Sequence, residues 1–332
     1  MKIGVIGAGT WGTALSRMLA LSGHEVCVWS ALPEEVKSLA ETRKQKNLPG
    51  MTIPDQIVYT GDLEQCCREK DIILFAVPSV YVRSCAAQAA PFIPDGQLIV
   101  DVAKGIEPVT NMTLTRVIED ELGKAGKHGR MVALSGPTHA EEVALDLLTT
   151  IVSASQDAEA AALVQKTFMN DYMRVYTNDD ILGVELCGSM KNVIALAAGI
   201  SAGLGYGDNA KAAIITRGIA EITRLGTAMG CRKETFAGLA GVGDLIVTAT
   251  SMHSRNNRAG MLMGQGKSPE EAKKEVGMVV EGINALPAVM ELSEKYHIEL
   301  PICKAVDSIV REGADPAEVV YGLMHREMKS EF

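Results

Sequence analysis

The sequence predicts an α/β protein in which a doubly wound, mainly parallel sheet comes first and an all-helical part follows. Short β-branched runs alternate with helical patterns as far as about residue 180, and strand signals fade after it. Alternation of this kind builds a parallel sheet with helices on both faces. At 332 residues the chain exceeds the ~250–300 residues that one hydrophobic core serves, so two domains are expected. We place them at 1–180 and 181–332.

Residues 2–6 form the first strand. They give way to Gly7-Ala8-Gly9-Thr10-Trp11-Gly12, then to a helical pattern (Ala14, Leu15, Met18, Leu19) that stops at Gly23, and Glu25–Trp29 is the next strand. Strand, G-x-G-x-x-G, helix and strand within ~30 residues is the Rossmann-type arrangement for a dinucleotide. Gly7 makes the tight turn, Gly9 lets backbone approach a pyrophosphate, and Gly12 permits close helix packing. The helix N-terminus then faces the phosphates. The acid that commonly follows the second strand is missing. Trp29 leads into Ser30-Ala31-Leu32-Pro33, and Glu34 and Glu35 read as the first turn of a helix opened by Pro33. No arginine for a 2′-phosphate is visible either, which leaves NAD and NADP both open. Ser30 is the only hydroxyl near the place of a 2′ substituent, and weak discrimination, below ~100-fold, is expected.

Further strands fall at 57–59, 71–77, 97–102, 131–134, 149–153 and 173–176. Ligands of such sheets lie beyond the carboxyl ends of the strands, where Ala103-Lys104-Gly105-Ile106-Glu107 and Ser135-Gly136-Pro137-Thr138-His139-Ala140 stand. Alone, Lys104 reads equally as a solvated loop lysine. Gly136-Pro137 is a turn whose amides can also face an anion. Helices fit 181–203, 208–229, 255–264, 269–276, 282–296, 301–312 and 316–327. No repeat, low-complexity tract or long linker separates the parts, so they are expected to pack tightly.

From Leu186 to Ile200 the polar side chains are Ser189, Lys191 and Asn192, and the segment spans ~22 Å at helical rise. A helix apolar all round belongs inside a protein. Lys191 has Cys187, Gly188, Ile194 and Ala195 at its i±3 and i±4 positions, so no carboxylate of its own helix can pair with it. Snorkelling along its stem is the bland alternative. An ammonium taken out of water needs a partner, and burial lowers its pKa toward neutrality, where it can shuttle protons. Downstream, Gly241-Val242-Gly243-Asp244 and Ser254-Arg255-Asn256-Asn257-Arg258 are polar islands between apolar runs. Ser254 as an N-cap, with Arg255 and Asn256 behind it, makes a phosphate receptor. A plain capped helix with surface arginines fits those residues too.

Composition narrows the class. A formal charge of −9 argues against a nucleic-acid surface while leaving room for a local cationic pocket. Seven cysteines (27, 66, 67, 85, 187, 231 and 303) without C-x-x-C spacing fit free thiols in a reducing compartment. Six histidines show no metal spacing, so no metal site is expected. No charge-free apolar run reaches ~18 residues without glycines or a lysine, and the run from Ile3 to Ala8 is too short for a signal peptide. A cytoplasmic protein without stable membrane insertion is expected.

With Gly7 to Gly12, Lys104-Gly105, Gly136-Pro137-Thr138, Gly188 to Asn192, Gly243-Asp244, Ser254-Arg255-Asn256 and Val280-Glu281-Gly282 in place, the chain resembles the bacterial-type NAD(P)-dependent glycerol-3-phosphate dehydrogenases from Lys2 to about Arg326. The resemblance implies an oxidoreductase that interconverts sn-glycerol 3-phosphate and dihydroxyacetone phosphate by hydride transfer with NAD or NADP, supplying glycerol 3-phosphate for phospholipid synthesis. It implies Lys191 as proton acceptor, with Lys104, Gly136, Thr138, Asp244, Ser254, Arg255 and Asn256 around the phosphorylated substrate. Thr10, Trp11, Lys104, Ala140, Arg255, Val279 and Glu281 would meet the cofactor, and a homodimer is expected. On this reading Lys104 holds the reacting oxygen, and Asp244 orients either Lys191 or a substrate hydroxyl. Three departures from the family pattern fall at four positions: Ala31 and Leu32 stand where arginine or histidine is common, Ser189 where alanine is common, and His139 where an aromatic residue is common. The alternatives are a dehydrogenase of the same architecture acting on a 2-hydroxy acid or sugar acid, and a non-catalytic dinucleotide sensor.

Overall fold

A computed structural model describes residues 1–328, 330 and 331; Lys329 and Phe332, within the expected 181–332 domain, lie outside the described residues. Among the described residues the strands are β1 (Lys2–Ile6), β2 (Glu25–Trp29), β3 (Val58–Thr60), β4 (Ile72–Phe75), β5 (Gln97–Asp101), β6 (Gly129–Ser135), β7 (Thr149–Ala154) and β8 (Met173–Asn178). They form one sheet in the order β3-β2-β1-β4-β5-β6-β7-β8. Every neighbouring pair is parallel except β6 and β7. Side chains alternate across the pleat. Ile3, Val5, Ile72, Leu74 and Val100 therefore pack one face while Ile6, Ile73, Phe75 and Ile99 pack the other, as a sheet covered on both sides requires. The strand order reverses direction between β1 and β4, which opens a crevice at their carboxyl ends.

After β8 the described chain is helical. Its centre is the helix Ile181–Gly203, started by Asp180, whose side chain accepts the Gly183 amide at 3.0 Å. Among the described residues it is the one helix long and apolar enough to cross a membrane, which the charge-free criterion above excludes, and 83% of its apolar window is buried inside the protein. Leu186, Met190 and Ile194 of this helix form a second core with Leu225, Leu245 and Leu286 from the helices around it. The helix Arg255–Gly264 crosses it at backbone contact. A Cβ on Gly199 would lie 2.1 Å from the Asn257 carbonyl, and one on Gly260 would lie 2.2 Å from that of Leu196.

Many element ends lie a residue or so from expectation, and two differences go further. Gly241 to Asp244, expected as a polar, turn-rich island, belongs to a π-helical turn Leu239–Gly243 that runs into a helix Asp244–Thr250. The glycine signals tight packing here: a Cβ on Gly241 would lie 1.9 Å from the Phe236 carbonyl. The last helix, Pro316–Met324, stops short of 327.

Candidate active site

The chain turns after β1 at Gly7, whose φ is +119°, in the region open to glycine. A Cβ on Gly12 would lie 2.1 Å from the Gly7 carbonyl, so helix and turn touch, whereas Gly9 has no atom within 4 Å of where its Cβ would stand. The helix Thr10–Leu21 has no side-chain cap and no acid in its first turn, which leaves its first amides to an anion. Open space over Gly9 beside uncapped amides fits a dinucleotide pyrophosphate. Asn47 Nδ2 donates to Thr10 Oγ1 at 3.3 Å, tying the 43–53 segment to this turn. Trp11 and Ala140 pack on the same core nearby.

Ser30 follows β2, and its hydroxyl donates to Glu35 Oε2 at 2.6 Å while accepting the Leu32 amide at 3.2 Å. Glu35 therefore does more than open a helix: it folds back to the strand end. Glu281 accepts from the Ser79 amide at 3.0 Å and from the Ser79 hydroxyl, joining the loop after β4 to the start of the helix Glu281–Lys295. Val279 is half-buried just before that helix.

Lys191 is 5% exposed, so it does not snorkel. Its Nζ donates to Asp244 Oδ1 and to Thr248 Oγ1, each at 2.7 Å. Lys104 Nζ donates to Asp244 Oδ2 at 2.6 Å, to the Gly136 carbonyl at 3.0 Å and to Thr138 Oγ1 at 3.4 Å. One fully buried carboxylate thus holds two ammonium groups from two halves of the chain, which removes the solvated-loop reading of Lys104. Gly188 makes room for this: a Cβ there would touch the Lys104 stem at 3.5 Å and Ser135 Oγ at 3.3 Å. Burial pushes the Lys191 pKa down from 10.5 to about 7; Lys104 pushes the same way and Asp244 opposes. Thr248 escaped the sequence reading, and its signal is the i+4 spacing from Asp244 on one helix. His139 Nε2 lies 3.3 Å from the Val247 carbonyl, and its ring faces His253 at 5.7 Å.

Ser254 caps the helix Arg255–Gly264 by accepting the Asn257 amide at 3.2 Å. Arg255, half-buried at the first helical position, has no carboxylate partner among the described residues. Asn256 differs from its neighbour. Its Nδ2 donates to Asn192 Oδ1 and its Oδ1 accepts the Gly282 amide, both at 2.9 Å. The side chain thereby ties three helices together, and Asn192, one residue past Lys191, enters the site through it. Among the described residues no group of three or more His, Cys, Asp and Glu is set to hold a metal.

A doubly wound sheet with an open glycine turn, joined to a helical half that supplies a buried lysine, defines a nicotinamide-dependent oxidoreductase. Residues 2–161 match the family described as NAD-dependent glycerol-3-phosphate dehydrogenase N-terminus, and residues 180–321 match its C-terminus. The chain belongs to the NAD-dependent glycerol-3-phosphate dehydrogenase family. It is 68% identical to glycerol-3-phosphate dehydrogenase [NAD(P)+] 2 of Lactobacillus delbrueckii subsp. bulgaricus, over 99% of this chain and 98% of that protein. The crystal structure of glycerol-3-phosphate dehydrogenase from Coxiella burnetii superposes with a TM-score of 0.93 at 37% identity, covering 98% of this chain and 99% of that one. A D-mandelate dehydrogenase with NADH reaches a TM-score of 0.64 at 16% identity, over 94% of this chain and 98% of that one, a likeness of fold alone.

Proposed function

We propose that Lys191, Asp244 and Lys104 are the proton-handling centre of an enzyme that interconverts sn-glycerol 3-phosphate and dihydroxyacetone phosphate, making glycerol 3-phosphate for phospholipid synthesis. The observation that carries this is the buried Lys191 ammonium on a carboxylate shared with Lys104. NAD or NADP, held at the turn from Gly7 to Gly12, would supply the hydride chemistry at carbon 2. In oxidation neutral Lys191 accepts the hydroxyl proton, and in reduction its ammonium returns it; a pKa of about 7 serves both directions. Lys104 steadies the reacting oxygen, and Asp244 keeps both lysines in register. Arg255, at the helix start capped by Ser254, anchors the phosphate, so that binding energy remote from carbon 2 positions it. Gly136, Thr138 and Asn256 shape the pocket wall. Gly7, Gly9, Thr10, Trp11 and Gly12 carry the pyrophosphate side of the cofactor, with Ser30, Ala140, Val279 and Glu281 around the rest.

On this reading residues 1–180 bind the dinucleotide and 181–332 bind substrate and carry the base. The enzyme works in the cytoplasm as a homodimer, which sedimentation velocity tests. Adding dihydroxyacetone phosphate to protein and NADH, then to protein and NADPH, should consume reduced-cofactor absorbance. Binding of cofactor with no consumption in either case would leave the sensor reading standing and remove this one.

A further inference from the structure

The carboxylate that the first reading misses at the end of β2 is supplied from the next helix. Ser30 holds Glu35 Oε2 at 2.6 Å, and Glu35 Oε1 accepts no hydrogen bond among the described residues. Ser30 itself is buried, which fixes the carboxylate at the strand end, beside the crevice where a doubly wound sheet receives an adenosine ribose. Ala31 and Leu32, which follow Ser30 directly, are apolar and offer a 2′-phosphate no cation. Arg43, at the C-terminal end of the helix Pro33–Thr42, donates to the Ile57 carbonyl at 2.8 Å with its guanidinium 5.9 Å from the Tyr59 ring centroid.

We infer that Glu35, positioned by Ser30, selects NADH over NADPH. A ribose 2′-hydroxyl can donate to Oε1, whereas a 2′-phosphate has only acceptors to offer and adds like charge. The inference rests on the dinucleotide reading above. It gives a direction and a lower bound to the discrimination left open by the sequence, because the Ser30 hydroxyl considered there is already donated to Glu35.

Fluorescence titration of the whole protein with NADH and with NADPH, without substrate, tests it. The Kd for NADPH should exceed that for NADH by at least ~10-fold, since a site built around one hydroxyl discriminates strongly against its replacement. Glu35→Gln keeps an acceptor and a partner for Ser30 while removing the charge, and it should narrow that ratio chiefly by tightening NADPH. A wild-type ratio below tenfold, a preference for NADPH, or a Glu35→Gln variant that shifts both affinities equally would overturn the inference while leaving the dinucleotide site intact. Failure of both cofactors to bind the wild type would remove that site and the inference with it.

Discussion

Lys191 Nζ lies 2.7 Å from Asp244 Oδ1, although 53 positions separate the two residues. The helix that carries the lysine has no carboxylate at i±3 or i±4, so the fold brings the counter-charge from the helix Asp244–Thr250. An ammonium buried this way is held by one partner and a threonine hydroxyl, and everything expected of it follows from that setting.

Lys191→Met keeps a long unbranched side chain and removes the buried charge. Turnover should fall by at least ~10²–10⁴, the loss typical of a positioned acid or base, while NADH binding stays near wild type because the glycine turn is untouched. Stability should move the other way. The folded pKa of about 7 lies below the 10.5 of the free side chain, so between those values the unfolded wild type holds a proton that the folded one lacks. Wild-type stability therefore rises with pH across that window. The variant lacks this slope, and its Tm advantage should be greatest below pH 7 and shrink toward pH 10. Melting curves at several pH values, with single-turnover kinetics on the same preparation, check both. Turnover within tenfold of wild type would make Lys104 the next candidate base.

Arg255→Ala should raise the KM for dihydroxyacetone phosphate by roughly 10–100-fold, since a charge-assisted pair contributes ~1.5–3 kcal/mol. Unphosphorylated dihydroxyacetone should be a poor substrate for the wild type. Similar kcat/KM for the two compounds would show that the phosphate is bound elsewhere.

The crossing of the two buried helices makes a prediction about stability alone. A methyl group on Gly199 has the Asn257 carbonyl 2.1 Å away, and backbone on both sides must shift to admit it. Gly199→Ala should cost ~1–3 kcal/mol, read as a fall in Tm of roughly 2–4 °C per kcal/mol. An unchanged Tm would mean that the helices are less tightly seated than described.

Legibility in the sequence followed how local the signal was. The turn from Gly7 to Gly12 and the N-cap at Ser254 are written in adjacent residues, and both appear where expected. Burial of Lys191 was legible too, because apolar neighbours fill a whole helical surface. Its partner was legible only through the family resemblance, which left Asp244 to orient either Lys191 or a substrate hydroxyl, since the two meet only through tertiary packing. Glu35 stands in the first turn of the helix opened by Pro33, as expected, but that local explanation hides what only the fold shows, its carboxylate reaching back to Ser30. Asn256 was read as a ligand beside Arg255, and only the fold shows that its amide also joins Asn192 to Gly282.

The bridge through Asp244 also allows a test in which two substitutions must act with opposite sign. Oxidation of glycerol 3-phosphate needs neutral Lys191, so kcat/KM in that direction should rise with pH around the Lys191 pKa of about 7 and level off above it. Asp244 raises that pKa and Lys104 lowers it. Asp244→Asn should therefore move the rising limb to lower pH, and Lys104→Met should move it to higher pH, even though both variants lose turnover. The measurement is kcat/KM for glycerol 3-phosphate from pH 5.5 to 9.5 in wild type and both variants. His139 is the nearby group most able to imitate such a limb, and burial lowers its pKa, but it donates to neither Asp244 nor Lys104 and should not respond to the two substitutions in opposite directions. If the limb stays put in both variants, or shifts the same way, the titrating group is not Lys191 and the bridged lysine pair is not the seat of the proton transfer.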